Sequence, residues 1–149
     1  MKRIYSLLIM AIAVFIISTS AFADMRINPN QLPKQVREFV ENTFGDNVKI
    51  IKAERENEFG TYHYEVRLSN GVEIDFDAGQ QWVEIDCEKA SANVPSAVLC
   101  DSIHSHIRNT YPNRQINKIE RKYNGYEITL NDGREVFYNR DGKFVREGR

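Results

Sequence analysis

Residues 64–76 read YEVRLSNGVEIDF, and residues 126–138 read YEITLNDGREVFY. Each stretch alternates apolar and polar residues on both sides of an Asn-Gly or Asp-Gly pair, the pattern of two strands folded over a tight turn. Five of the thirteen positions are identical, and the Val/Ile, Ile/Val, Asn/Asp and Phe/Tyr exchanges are conservative. The flanks repeat as well. KAER (52–55) is echoed by KIER (118–121), and NTF (42–44) by NTY (109–111).

Ahead of each hairpin lies a helical pattern that opens with a proline at its second position. LPKQVREFVENTF sets Val36, Phe39, Val40 and Phe44 on one stripe after Pro33, and VPSAVLCDSIHSHIRNTY sets Leu99, Ile103, Ile107 and Tyr111 on another. A first strand is expected around Val48 to Arg55. Gly79 leading into WVEID, and Gly142 followed by Phe144, close the two copies. The chain is thus expected to be a duplication of helix followed by four strands, with units at 24–87 and 88–149.

Strands joined by such turns pair antiparallel. One unit of about 60 residues would be marginal alone. Together the two predict an α+β protein: one eight-stranded antiparallel sheet with both helices packed on the face that carries Val66, Leu68, Ile74, Ile128, Leu130 and Val136. No sequence is left over to cover the other face, which is expected to stay open.

Residues 1–23 are set apart from this scheme. Lys2 and Arg3 precede the apolar run Leu7 to Ile17, and AFA (21–23) supplies small residues at a peptidase site, so a signal peptide cut after Ala23 is expected. The run is short for a membrane span, which needs roughly 20 apolar residues; an uncleaved anchor is the alternative. No cysteine stands at the cut to take a lipid. The expected location is periplasmic or secreted.

Of the 20 Lys and Arg and 21 Asp and Glu in 149 residues, only Lys2 and Arg3 lie in the leader, which leaves the mature chain at a net charge of −3. That balance offers no basic face for nucleic acid, and no mature stretch is amphipathic enough for a membrane surface.

The pattern LPxxVxxFVxxxF followed by YEVxLxxGxEIxFDxxGxW, then repeated from VP at 94, resembles the PepSY-like family of exported bacterial proteins, described as β-lactamase-inhibitor-like. The resemblance spans about residues 30 to 146. It implies a tandem-repeat fold like that of the β-lactamase inhibitory protein, in which a sheet presents a concave surface to a partner. The second unit departs from the pattern, with Phe137 where the first has Asp75 and Phe144 where it has Trp82.

No catalytic constellation is visible. There is no G-x-S-x-G elbow, P-loop or G-x-G-x-x-G. Glu73, Asp75 and Asp77 form an i, i+2 ladder, but a flat exposed ladder does not split carboxylate pKa values as acid–base catalysis requires. DFDAG (75–79) lacks the Gly and Glu of a calcium loop at positions six and twelve. His104 and His106 point apart on a helix, so no metal is expected, and no cofactor. Cys87 and Cys100, an even count in an exported chain, are expected to form a disulfide joining the first unit's sheet to the second unit's helix; two free buried thiols are the alternative.

Alternation places His63, Glu65, Arg67, Glu73, Asp75, Asp77, Glu127 and Phe137 on the open face, with Trp82 beside Glu84 and Asp86, and Phe144 beside Arg146. Aromatics on a carboxylate-rich face resemble interface anchors. The expected function is a non-enzymatic binding module for a protein partner in the cell envelope. Trp82, Phe137 and Phe144 would be its anchors, and Glu73, Asp75, Asp77, His63 and Arg67 would set its charge preference. A module for a small molecule or glycan, or a structural part of the envelope, is the alternative.

Overall fold

The structure is a computed structural model that describes residues 25–148. The expected leader and its cleavage site lie outside the described residues. The chain begins with a short strand, β1 (Met25–Ile27), and a single 3-10 turn (Pro29–Gln31), followed by α1 (Lys34–Phe44). Strands β2 (Ile50–Glu58), β3 (Thr61–Leu68), β4 (Glu73–Phe76) and β5 (Trp82–Asp86) come next. A second 3-10 turn (Ser96–Val98) leads to α2 (Asp101–Thr110), then β6 (Ile116–Lys122), β7 (Gly125–Leu130), β8 (Glu135–Asn139) and β9 (Phe144–Gly148). All strands form one antiparallel sheet in the order β1 to β9.

The sheet therefore has nine strands rather than the expected eight. The extra one, β1, pairs with β2 through Arg26 opposite Glu54. Three residues are too few to show a periodicity, which is why the pattern of the sequence does not reveal it. The second helix is also shorter than its apolar spacing implies. Leu99 is extended (φ −93°, ψ 135°), and α2 starts only after Cys100 at its N-cap, with Asp101 in the first turn where the helix dipole favours an acid.

The two quoted hairpins turn alike. Leu68 and Val72 close the first with a 2.8 Å hydrogen bond, Leu130 and Arg134 the second at 2.9 Å. Gly71 (φ +94°) and Gly133 (φ +84°) take the left-handed conformation that the turn requires.

Residues directly opposite on neighbouring strands share a face. Ala53, Val66, Ile74, Ile85, Ile119, Ile128 and Val136 lie in one register row across β2 to β8, each at most 1% exposed. This row is the spine of a core that also takes in Val36 and Val40 of α1 and Ile103 and Ile107 of α2. Phe39 of α1 meets Phe76 edge-on at 5.6 Å. On α2, His106 hydrogen-bonds the Tyr138 hydroxyl at 2.8 Å, and just past the helix the Tyr111 hydroxyl donates to Glu147 at 2.6 Å.

Cys87 and Cys100 do not bridge: both are free, Cys87 buried and Cys100 exposed. Cys87 follows β5, its N–H donating to the Asn117 carbonyl at 2.7 Å. Cys100 lies against Gly142, in the β8–β9 turn. That turn is three strands away from β5 and at the far end of β8 from the residues in register with Asp86. Strands spaced about 4.8 Å apart set that turn roughly 14 Å from β5, and a disulfide needs Cα atoms within about 7 Å. Cys100 is exposed because it caps α2 instead of lying within it.

Candidate functional site

The face opposite the spine carries a second register row, offset by one residue. It runs Arg26, Glu54, Glu65, Asp75, Glu84, Glu120, Glu127, Phe137, Arg146, one residue from each of the nine strands. Six carboxylates thus stand side by side on six consecutive strands. Directly opposed side chains have Cβ atoms roughly 5 Å apart, and like charges at that spacing destabilise a sheet.

Lysines beside the row answer part of its charge. Lys52 pairs with Glu54 at 2.7 Å, Lys118 with Glu84 at 2.7 Å, and Lys122 with both Glu120 and Glu127. Glu65 and Asp75 have no ion-pair partner among the described residues. Burial, with Glu84 and Glu65 on either side, pushes the Asp75 carboxyl up to about 6. Two residues along the same strand, Glu73 is held below the usual carboxylate range by hydrogen bonds from Lys89 and Arg67, against the opposing effect of its burial. After the last carboxylate the row continues to Phe137, whose ring lies 3.6 Å under the guanidinium of Arg146, the row's last residue. Near the β2–β4 end, a hollow of about 290 Å³ is lined by Glu54, Glu56, His63, Glu65 and Asp75.

His63, Arg67, Glu73, Asp75 and Phe137 lie on the open face as the alternation expects. His63 is 3.5 Å from Glu58, and Arg67 pairs with Glu73. Trp82 and Phe144 do not. Trp82 stands opposite Phe76 while Glu84 stands opposite Asp75, so Val83 is an extra residue and the strand bulges. The bulge turns Trp82 to the core side, where it is 8% exposed under the Arg121 guanidinium at 4.2 Å. The same bulge recurs in β9. Phe144 opposes Tyr138 and Arg146 opposes Phe137, with Val145 between. Phe144 consequently packs on the helix side, 4.8 Å from the His106 ring. Asp77 leaves the ladder too: it follows β4, and its carboxylate accepts the Gln81 N–H at 2.9 Å to close the β4–β5 turn.

Sequence reasoning placed several of the row's carboxylates outward but missed the row itself. The only signal was the KAER/KIER echo, which sets Glu54 and Glu120 at equivalent positions. Alignment across strands depends on register, which no single strand carries. Among the described residues, no group of three or more His, Cys, Asp or Glu side chains is placed to hold a metal ion, and no helix is long and apolar enough to cross a membrane.

A single antiparallel sheet of consecutive strands with two helices is also the fold of proteins similar to this one. A family model described as "Putative beta-lactamase-inhibitor-like, PepSY-like" matches residues 22–70 and 62–146. The chain belongs to this PepSY-like family. A protein of Bacteroides vulgatus described as a "putative periplasmic protein of unknown function" is 32% identical and superposes with a TM-score of 0.78, over 85% of this chain and all of the other. A second Bacteroides vulgatus protein, also described as "putative periplasmic", is 30% identical over 87% and 99% of the two chains, with a TM-score of 0.77. A Bacteroides thetaiotaomicron protein described as a "putative calcium-regulated periplasmic protein" is 28% identical over 85% and 97%, also with a TM-score of 0.77. No curated protein matches the chain.

Proposed function

We propose that this chain is an exported, non-enzymatic module that holds a protein partner bearing a basic patch through the open face of its sheet. The observation that carries this reading is the six-carboxylate row. It weakens the isolated fold, and a cationic partner surface would turn the same repulsion into attraction and speed encounter. Phe137 supplies an aromatic anchor at one end of the row. His63, Arg67 and Glu73 flank it and set charge preference. On this reading the chain is a tandem of two helix-and-sheet units, the first with the extra strand β1, whose helices pack on the far face and leave this side for contact. The inhibitor-like family supports a holding role, and relatives described as periplasmic support export through the leader at 1–23.

The test is capture from periplasmic extract, read by mass spectrometry, with wild type beside Glu65→Gln/Asp75→Asn/Glu84→Gln and Phe137→Ala. A basic protein held by wild type, released by salt and lost from the triple variant is the expected outcome. The triple variant relieves like-charge contacts at Glu65 and Asp75 but also gives up the Lys118–Glu84 pair, so its melting curve is recorded beside the capture and must show a folded protein for the loss to count. Identical capture by all three baits would refute the reading. The hollow beside Asp75 favours a second reading, a small cationic ligand or glycan, which takes precedence if no bait retains a protein.

A further inference from the structure

The two helix–sheet junctions carry the same groove twice, and the copies differ in charge. In the first half the groove lies between the Pro29–Gln31 turn, α1 and the start of β2, with a volume of about 500 Å³. Its charged lining is balanced: Arg37 and Lys49 against Glu41 and Asp46. In the second half the groove lies between Pro95, α2 and the start of β6, with a volume of about 360 Å³. Val94, Ile107 and Ile116, each at most 6% exposed, form its floor. His104, Arg108 and Arg114 line the rim, and no carboxylate lines it.

The repeat makes the substitutions explicit. The floor is kept, with Ile107 where the first unit has Val40 and Ile116 where it has Ile50. The acid Glu41 becomes Arg108, Val48 becomes Arg114, and Asp46 has no acidic counterpart in Pro112–Asn113–Arg114. Arg114 shares Asp132 with Arg134, at 3.0 and 3.3 Å. Arg108 has no carboxylate within ion-pair distance among the described residues. The dipole of α2 accounts for one cation in its last turn, not for Arg114 and His104 facing the same hollow. In a chain whose mature part is acidic, a groove lined by cations over an apolar floor, with Asp132 answering only Arg114 among them and from outside the lining, is a local inversion.

We propose that this groove binds a small amphipathic anion, its alkyl or aryl body on Val94, Ile107 and Ile116 and its phosphate or carboxylate head between Arg108 and Arg114. The volume falls within the roughly 300–1,000 Å³ of small-ligand clefts, and a planar guanidinium recognises such heads in bidentate fashion. The site is on the helix side of the sheet, so it is independent of the open-face reading.

The experiment is a ¹⁵N–¹H titration of the mature protein with hexyl phosphate, and in parallel with inorganic phosphate. Saturable shifts at His104, Arg108 and Arg114, with none at the equivalent Arg37 and Glu41, are expected. Hexyl phosphate should bind at least tenfold tighter than inorganic phosphate, and Arg108→Glu should weaken it at least tenfold while its circular dichroism stays that of wild type. Arg108→Gln, which keeps the helix surface polar, should fall between. Equal shifts in both grooves, equal affinity for the two phosphates, or unchanged binding by Arg108→Glu would each overturn the proposal. So would binding only to phosphatidylglycerol vesicles, because the source would then be a membrane surface and not a free ligand.

Discussion

Two carboxylates two residues apart on β4 are shifted in opposite directions, and the reason is who stands beside them. Glu73 receives Lys89 and Arg67, whereas Asp75 is half-buried between Glu65 and Glu84. The Asp75 carboxyl is raised from an ordinary 3.8 to about 6, so the folded state holds its proton more tightly than the unfolded chain does. Its ionisation therefore opposes folding fully above pH 6, and the penalty fades as pH falls from 6 towards 4. Discounted for solvent screening, the penalty is about 1–2 kcal/mol. Asp75→Asn is expected to raise the unfolding free energy, read from urea denaturation at pH 7.5, by that amount and to give no gain at pH 4; equal gains at both pH values would contradict the assignment. A second residue-scale case is Gly125, at φ +153°, where a β-carbon would be driven into the Tyr138 carbonyl oxygen. Gly125→Ala should lower stability by more than about 3 kcal/mol in the same assay, since backbone on backbone cannot give way.

At the scale of elements, the deciding features are the two bulges. The hairpins, the stripe of α1, the Ile103–Ile107 part of the second stripe and the open-face positions from His63 to Asp75 were legible in the sequence because each depends on alternation or spacing within one element. Trp82 and Phe144 were misread because one inserted residue, Val83 or Val145, reverses every side chain before it on its strand while leaving the residues after it in phase. Nothing in WVEID announces that insertion; it exists only relative to β4. The consequence is measurable. Trp82→Ala removes a buried ring and its Arg121 contact, and should destabilise by about 3–5 kcal/mol. Phe137→Ala, on the open face, should lose about 1 kcal/mol or less and act on partner capture instead. Denaturation curves for the two would separate a core aromatic from a surface one.

For the whole molecule, a single antiparallel sheet with two helices could be read from residue order, and the acidic row could not. The row is a property of eight strand registers taken together, and the short β1 that supplies Arg26 has no periodic signature. The cysteines show the same limit, since their count argued for a bridge and the structure holds both as free thiols. Both should appear as free thiols by mass after native alkylation. Cys100 should react at once, and Cys87 only on unfolding, since burial, with Asp86 adding to it, pushes its thiol up to about 11. A mature protein lighter by two hydrogens and inert to the reagent would disprove the free-thiol arrangement.

The strand order has a kinetic meaning as well. Every strand hydrogen-bonds only to the strands before and after it in the chain, so no pairing waits for a distant segment to arrive. The contacts that must form are local for a sheet of this breadth, and local topology folds fast. A chain emerging from its N-terminus can zip its sheet one strand at a time, and the interval between Cys87 and Ile116, which contains α2, is the longest pause in that sequence.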